Sequence, residues 1–249
     1  MPVKPAAGKL FEYTVPVVVV GAGAGGLTAA LAARDGGAEV LLLERDHTPR
    51  GSTAMSQGNI AAAGTKSQAA AGIDDSGKRF GDDIVALARG STDVDLAYTF
   101  AAASGPTVDW LTEKHNIPLE VDLDWGAKLG HSCSRIHATP SKTGTELMSC
   151  LMNACDAAGV DLITDAHVVD VYADKDGTVR GVRFERPDGS EEEVGCGALV
   201  LTTCGFGGNR DMIRKFIPDM GEALYHGHEG NEGEGIEWGM ELGAATADM

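Results

Sequence analysis

Three glycines near the start of the chain have the spacing of a turn that holds a nucleotide diphosphate. Gly21, Gly23 and Gly26 follow the buried-strand pattern of residues 17–20, and a helix is predicted over residues 24–34. In such a turn the first glycine permits the bend, the second lets backbone approach a pyrophosphate, and the third lets the helix pack close to the strand. The positive end of the helix dipole then faces the phosphates. The candidate cofactor-binding residues of this turn are Gly21, Ala22, Gly23, Ala24, Gly25 and Gly26.

An acidic residue stands where the ribose of an adenosine would lie. Glu44 follows a second predicted strand, residues 40–43, and its carboxylate can accept both ribose hydroxyls. It would also repel a 2′-phosphate, which disfavours NADP. A lone G-x-G-x-x-G is weak evidence, but strand, turn, helix, strand and acid in this order predict dinucleotide binding, with FAD and NAD both open. Arg45 is expected to be a solvated neighbour of this site.

The segment of residues 48–65, TPRGSTAMSQGNIAAAGT, is rich in small and hydroxyl-bearing residues. Small residues let backbone approach a large planar ligand, and the hydroxyls and amides can bond its polar edges. The alternative is a flexible connector. Because Met55, Gln57 and Ile60 interrupt that composition, we favour contact with the ligand.

Composition limits the classes of partner. The 249 residues suit one large α/β domain or two small ones, and the net charge of −17 argues against nucleic acid or an anionic membrane as partner. No apolar run reaches the roughly 20 residues that a membrane helix needs. The first residues lack the apolar core of a signal peptide, so a cytoplasmic location is expected. Five cysteines without C-x-x-C spacing favour reduced thiols over disulfides or a zinc site.

The remainder of the chain alternates helices with strands. Residues 160–163 predict a third parallel strand, and turns at Asp176-Gly177 and Asp188-Gly189 predict an antiparallel meander. The capping box Thr143-x-x-Glu146 opens a helix that ends near residue 158. The predicted meander strands are 167–173, 179–185 and 192–194, followed by a buried strand over 198–202. The other predicted helices are 80–89, 94–103, 107–115 and 235–242, and Asn209 is predicted to cap a helix that ends near residue 216. Residues 66–78 are expected to form an exposed loop, and Trp110 and Leu111 to lie in the core.

Few side chains are candidates for proton transfer or metal binding. His131, Arg135 and His137 gather in an aperiodic segment, where a structural or surface role is favoured for each. His226 and His228 have i, i+2 spacing, but their glycine-rich setting favours solvated loop histidines over a metal pair. No metal site is predicted, and the catalytic residues are not identified.

The order of these motifs resembles the fumarate reductase/succinate dehydrogenase flavoprotein family over nearly the whole chain. The glycine turn with Glu44 is similar to the family's ADP-binding unit, and residues 50–58 are similar to the segment around the flavin diphosphate and ring. The turn of residues 202–206 resembles A-T-G-G-F, and residues 232–235 resemble the G-D-G segment. The further cofactor contacts implied are Arg45, Gly51, Ser52, Thr53, Ser56, Gln57, Gly58, Val168 (at adenine), Thr202, Gly205, Phe206 and Glu234.

The resemblance implies a Rossmann-like α/β fold of the glutathione reductase type, with a parallel sheet, an antiparallel β-meander crossover and a helical insertion. Residues 1–249 would form one FAD-binding domain of an oxidoreductase that transfers hydride between flavin N5 and a C–C bond. The implied substrate is a small molecule, either a dicarboxylate or a ketone, with an unspecified electron donor or acceptor. A non-catalytic FAD-holding module and an NAD-binding dehydrogenase domain remain as alternatives.

Three substitutions and the length depart from the family pattern. Ser52 stands where membrane-complex members carry a histidine linked to the flavin, so the FAD is expected to be non-covalent. Cys204 replaces a glycine and is expected to pack beneath its turn, and Glu234 replaces an aspartate. In the family a capping domain and a C-terminal flavin segment follow. The chain is therefore expected to correspond to the N-terminal FAD-binding portion.

Overall fold

The computed structural model describes residues 3–247 and 249, which form two compact units. The first unit combines Met1–Met55 with Leu151–Met249, and the second is Ser56–Cys150. Each unit has its own β-sheet and its own helices, so the two are described separately.

A seven-stranded sheet forms the centre of the first unit. Its strands are β1 Val3–Pro5, β2 Thr14–Val20, β3 Val40–Leu43, β7 Asp161–Ile163, β8 His167–Ala173, β9 Val179–Glu185 and β10 Glu191–Leu201. They lie in the order β1-β8-β9-β10-β2-β3-β7. Strands β10, β2, β3 and β7 are parallel neighbours, whereas β8, β9 and β10 form the antiparallel meander. This mixture is the predicted fold class, which is confirmed.

The parallel strands are apolar because both faces of the sheet are covered. Val18 and Leu42 are fully buried on adjacent strands, and Leu27 on helix α1 (Ala24–Asp35) is buried as well. Helix α1 ends at Gly36, followed by Gly37 with φ of +87°. The sequence patterns thus predicted this strand–helix–strand unit correctly. Strand β1 was not predicted; it pairs in parallel with β8.

Strand β10 is one continuous element, so the prediction of separate strands over 192–194 and 198–202 is wrong. Its first residues pair with β9, and from Gly195 onward it pairs with β2. At the change of partner, the backbone of β10 lies close to β2. A Cβ on Gly195 would lie 2.6 Å from Thr14 Oγ1, and one on Gly197 would lie 3.0 Å from the Pro16 carbonyl oxygen. The two glycines interrupt the apolar pattern but not the strand.

Among the described residues, four further helical segments lie wholly within the first unit, and α7 (Arg210–Phe216) is the one that begins at a side-chain cap. Asn209 Oδ1 accepts hydrogen bonds from the amides of Asp211 and Met212, as expected of an N-cap. The segments are α2 Gly51–Ala54, α7 Arg210–Phe216, a 3-10 helix Pro218–Met220 and α8 Glu234–Glu241.

The second unit is mainly helical around a three-stranded sheet of order β4-β6-β5. Its strands are β4 Ile60–Ala61, β5 Glu120–Val121 and β6 Ile136–Ala138, and its helices are α3 Lys66–Ala70, α4 Gly77–Ala88, α5 Val94–His115 and the start of α6 Gly144–Ala157. Thr143 Oγ1 accepts from the Glu146 amide, whereas the Glu146 carboxylate accepts from the Ser141 amide. Half of the predicted capping box is therefore present.

Two predictions for the second unit are wrong. Residues 66–78 are not an exposed loop, because Thr65 and Gln68 form a reciprocal capping box that starts α3, and Gln68 is fully buried. The segments 94–103 and 107–115 form one helix with Pro106 inside it. Pro106 removes one helical hydrogen bond, but Ala101 and Leu111 bury side chains on either side of it, so packing holds both halves. Leu111 is a core residue as predicted, whereas Trp110 is only half-buried.

No helix in the part of the chain that the structure describes is both long and apolar enough to cross a membrane.

A buried arginine organises charged groups within the second unit. Arg135 is fully buried; its Nε lies 2.7 Å from Asp75 Oδ2, its Nη2 lies 2.8 Å from Asp75 Oδ1, and its Nη1 contacts Asp83. His137, also fully buried, lies between Thr65 Oγ1 and the Arg135 carbonyl oxygen at 2.8 Å from each. These contacts give Arg135 and His137 the structural roles that the sequence favoured.

This ion pair predicts acid sensitivity of the fold. Burial opposes the charge of Asp83, but hydrogen bonds from Arg135 and the Ser132 amide outweigh it and lower the pKa to about 2, from 3.8. A carboxyl with a lowered folded-state pKa stabilises the fold above its unfolded pKa and loses that contribution as pH falls through the folded value, here from about 4 to 2. Asp83→Asn should therefore reduce the free energy of unfolding by about 2 kcal/mol at pH 6 and much less at pH 2.5.

Urea unfolding at both pH values, followed by circular dichroism, measures this difference. Asp124→Asn is the matched control, since the Asp124 side chain is 95% exposed. Equal losses for Asp83→Asn at pH 6 and pH 2.5 would contradict the assigned role.

Candidate functional site

A cavity of about 610 Å³ in the first unit opens at the carboxyl ends of its parallel strands. Val20, Leu43 and Leu201, the last residues of β2, β3 and β10, all line it. Ligands of open α/β sheets bind at this end of the strands. The cavity is also lined by the first turn of α1, by α2 and by the start of α8.

The glycine turn is packed too tightly for side chains. Gly21 has φ of +98°, and a Cβ there would lie 2.6 Å from the Thr202 carbonyl oxygen. A Cβ on Gly26 would lie 1.8 Å from the Gly21 carbonyl oxygen, which is the close helix–strand approach predicted for this glycine. Gly23 instead has open space, its nearest neighbour being Thr53 Oγ1 at 3.7 Å. The turn is thus closed on the protein side and open on the cavity side.

Two side chains bind backbone amides of the turn. The Ala22 amide donates to Glu44 Oε2 at 2.7 Å, and the Ala24 amide donates to Thr53 Oγ1 at 3.1 Å. Glu44 Oε1 also accepts from the Asp46 amide at 3.0 Å. Each carboxylate oxygen of Glu44 has a second lone pair available to a ligand hydroxyl. Glu44 therefore fixes the turn and lines the cavity at the same time.

Backbone and charged groups surround the Glu44 side of the cavity. The Ala166 amide donates to the Glu44 carbonyl oxygen at 2.8 Å, so the chain just before β8 is bound to the residue that follows β3. Val168, which is buried on β8, lies in the cavity wall. Arg45 is less solvated than predicted, because its side chain is 28% exposed and its Nη1 lies 3.6 Å from Glu232 and 3.5 Å from Glu234.

Glu234 is a buried acid with two cationic or polar neighbours. Its Oε1 lies 3.5 Å from Arg45 Nη1 and 3.5 Å from His167 Nε2, the latter a contact without hydrogen-bond geometry. Burial opposes its charge, but the His167 contact, the amide of its own residue and the Arg45 charge outweigh it and hold the pKa of Glu234 below its usual value. The cavity wall therefore carries a carboxylate held in its charged form.

Sequence reasoning missed several residues of the cavity wall. His228 Nε2 lies 2.7 Å from Asp46 Oδ2, and its Nδ1 accepts from the Gly230 amide, so the prediction of a solvated loop histidine is wrong for His228. His226 is exposed, as expected. Cys204 does not pack beneath its turn; it is exposed, has φ of +63° and lines the cavity. The glycine- and acid-rich composition of 227–235 indicated a loop but not which side chains would turn inward.

Among the residues that the structure describes, no group of three potential metal-ligating side chains is present, and all five cysteines are free.

The structure brings most of the predicted cofactor contacts to this one cavity. Ala22 and Gly26 lie behind the turn and are buried, while Gly205 and Phe206 lie outside the lining. Ser56, Gln57 and Gly58 belong to the second unit, and their contact with a cofactor stays a prediction. The predicted residues that line the cavity are Gly21, Gly23, Ala24, Gly25, Glu44, Arg45, Gly51, Ser52, Thr53, Val168, Thr202 and Glu234.

The cavity has features that fit a dinucleotide. A diphosphate can approach the open face at Gly23, whereas any side chain at Gly21 or Gly26 would clash with backbone. The indole N–H of Trp238 is buried in the cavity wall without a hydrogen-bond acceptor among the described residues, and a polar ligand could supply one.

Comparisons with known proteins agree with this geometry. The family model described as "FAD binding domain" matches residues 16–249. The chain is 30% identical to a probable fumarate reductase of Shewanella frigidimarina, over 95% of this chain and 40% of that protein. It is 31% identical to the NADH:fumarate oxidoreductase of Klebsiella pneumoniae, over 94% of this chain and 25% of that protein.

Solved structures show the same architecture. A flavocytochrome c3 fumarate reductase in its open conformation superimposes with a TM-score of 0.87 at 30% identity, over 98% of this chain and 42% of that one. A 3-ketosteroid-Δ4-(5α)-dehydrogenase from Rhodococcus jostii superimposes with a TM-score of 0.85 at 25% identity, over 98% of this chain and 57% of that one. The chain thus spans between a quarter and three fifths of the length of these relatives. It belongs to the FAD-binding domain family to which the flavoproteins of fumarate reductases also belong.

Proposed function

We propose that the cavity of the first unit holds FAD, with the diphosphate against the glycine turn and the adenosine ribose at Glu44. The observation that carries this proposal is the turn itself, closed by backbone behind Gly21 and Gly26 and open at Gly23. Because the amides of Ala22 and Ala24 already have partners, the amides of Gly23 and Gly25 are assigned to the diphosphate.

The remaining contacts follow from the position of Glu44. Its carboxylate accepts the ribose hydroxyls through the lone pairs that the Ala22 and Asp46 amides leave unused. The backbone at Val168 borders the adenine, and Arg45 with Glu234 closes this end of the cavity. The predicted roles of Ser56, Gln57 and Gly58 and of a single FAD-binding domain over residues 1–249 belong to this proposal.

In this proposal the chain is the FAD-binding portion of a flavin-dependent oxidoreductase that acts on a C–C bond. Flavin supplies hydride transfer at N5, while the protein supplies binding, orientation and electrostatics. The relatives above are named as a probable fumarate reductase, an NADH:fumarate oxidoreductase and a ketosteroid dehydrogenase, which supports either a small dicarboxylate or a ketone as the substrate. The electron partner is a separate donor or acceptor.

A second candidate, an FAD-holding module without turnover, has support from the second unit. Arg135 and His137 are fully buried and bound to neighbouring groups, so neither has the freedom of a proton donor to substrate. Visible flavin bands are common to both candidates. Turnover of fumarate with a chemical reductant favours the enzyme, whereas flavin that is reduced but does not react favours the module.

Removal of the Glu44 carboxylate should weaken FAD binding. Glu44→Ala loses one or two charge-assisted hydrogen bonds to the ribose, each worth about 1.5–3 kcal/mol. Titration of apoprotein with FAD, followed by quenching of flavin fluorescence, measures the dissociation constant. Asp124→Ala is the control, since it removes the same charge from an exposed position.

Glu44→Gln separates the two functions of the side chain, which are to bind the backbone amides and to bind the ribose. Glutamine keeps the volume of the residue, but its single oxygen can accept from the Ala22 amide or from the Asp46 amide, and not from both while also accepting a ribose hydroxyl. We expect an intermediate affinity. Equal flavin occupancy in wild type and Glu44→Ala after dialysis would reject the ribose role.

The flavin should leave the protein on denaturation. Ser52 has no group that links to the isoalloxazine as a histidine would, so acid precipitation should transfer all of the yellow colour to the supernatant. Visible absorbance of the two fractions measures the distribution. Colour retained in the washed pellet would show a covalent link and would contradict the prediction.

A further inference from the structure

A buried asparagine joins the loop before α8 to the residue at the second position of α2. Asn231 is 5% exposed, and its Nδ2 lies 3.0 Å from Ser52 Oγ and 2.7 Å from the Tyr225 hydroxyl. Ser52 and Asn231 both line the cavity, and Tyr225 does not. Asn231 therefore connects Ser52, in the cavity wall, to Tyr225, which lies outside the wall.

The direction of these hydrogen bonds determines where the Ser52 proton points. An amide nitrogen only donates, so Asn231 uses its two hydrogens on Ser52 and Tyr225, and both hydroxyl oxygens act as acceptors. The hydroxyl proton of Ser52 is then directed away from Asn231. Among the described residues, Cys204 Sγ also lies 3.8 Å from Ser52 Oγ; it is a weak hydrogen-bonding partner that lines the cavity as well.

The Tyr225 ring packs against backbone on either side of the hydrogen bond to Asn231. A Cβ on Gly207 would lie 2.1 Å from the ring, and a Cβ on Gly227 would lie 2.1 Å from the hydroxyl oxygen. The ring, which is 39% exposed, thus packs against two glycines, and its oxygen lies 2.7 Å from Asn231 Nδ2. Asn231 is anchored further, since its own backbone carbonyl accepts from the Gly208 amide at 2.8 Å.

We propose that Asn231 is a positioning residue that orients the Ser52 hydroxyl as a hydrogen-bond donor to an acceptor oxygen of the bound FAD. This inference rests on the proposed function, because it takes the cavity as the FAD site. Asn231 acts through Ser52, and its contribution to affinity is the pre-orientation of a donor that would otherwise rotate freely.

A double-mutant cycle tests the proposal on the full chain. Asn231→Ala and Ser52→Ala should each weaken FAD binding roughly threefold to tenfold, the value of one hydrogen bond. In the Ser52→Ala background, Asn231→Ala should have less than about a twofold further effect, because the group through which it acts is gone. Fluorescence titration gives the four dissociation constants. His226→Ala, an exposed substitution in the same loop, is the control and should match wild type.

Asn231→Asp supplies a readout that a purely structural role would not change. Aspartate has nearly the same shape but accepts from Ser52, so it turns the proton away from the cavity. We expect it to bind FAD more weakly than Asn231→Ala at pH 8, with the melting temperature of the apoprotein closer to wild type.

The outcomes separate this inference from the proposed function. If wild type retains FAD but the Asn231→Ala loss is unchanged in the Ser52→Ala background, the positioning role is overturned and FAD binding stands. The positioning role is also overturned if Asn231→Asp binds FAD as tightly as wild type, or if His226→Ala loses as much FAD affinity as Asn231→Ala. If wild type binds no FAD, the proposed function fails first.

Discussion

The site depends on one backbone contact, the approach of Gly26 on α1 to the carbonyl oxygen of Gly21 at the end of β2. The Thr202 hydroxyl packs against the same contact, because its Oγ1 lies 2.8 Å from both the Val20 and the Gly21 carbonyl oxygens. The ends of β2 and β10 and the start of α1 therefore meet within a few ångströms. No side chain beyond hydrogen fits at Gly26, so the packing that joins these three elements also shapes the floor of the cavity.

Binding groups and supporting groups overlap in this cavity. Glu44 braces the glycine turn through the Ala22 amide and also offers acceptors to a ribose. Thr53 binds the Ala24 amide, and Asn231 binds Ser52, so α2 is tied both to the glycine turn and to the loop before α8. The resident cofactor would meet groups already held in position, which lowers the entropy lost on binding.

The sequence predicted correctly those parts of the fold that depend on residues close together in the chain. The valine run of β2, the glycine spacing and the Asn209 cap each have a short-range cause, and all appear as expected. The failures have long-range causes. The interior of α5 tolerates Pro106 because of burial on both sides, and β10 stays continuous because Gly195 and Gly197 admit two different partner strands. The inward turn of Asn231 and His228 depends on Ser52 and Asp46, residues far away in sequence, and no local pattern encodes it.

A crystal structure of this chain with FAD tests the central claim most directly. The account predicts the diphosphate within hydrogen-bond distance of the Gly23 and Gly25 amides and the adenosine ribose on the Glu44 carboxylate. An adenosine bound away from Glu44, or a diphosphate that does not contact the glycine turn, would contradict it.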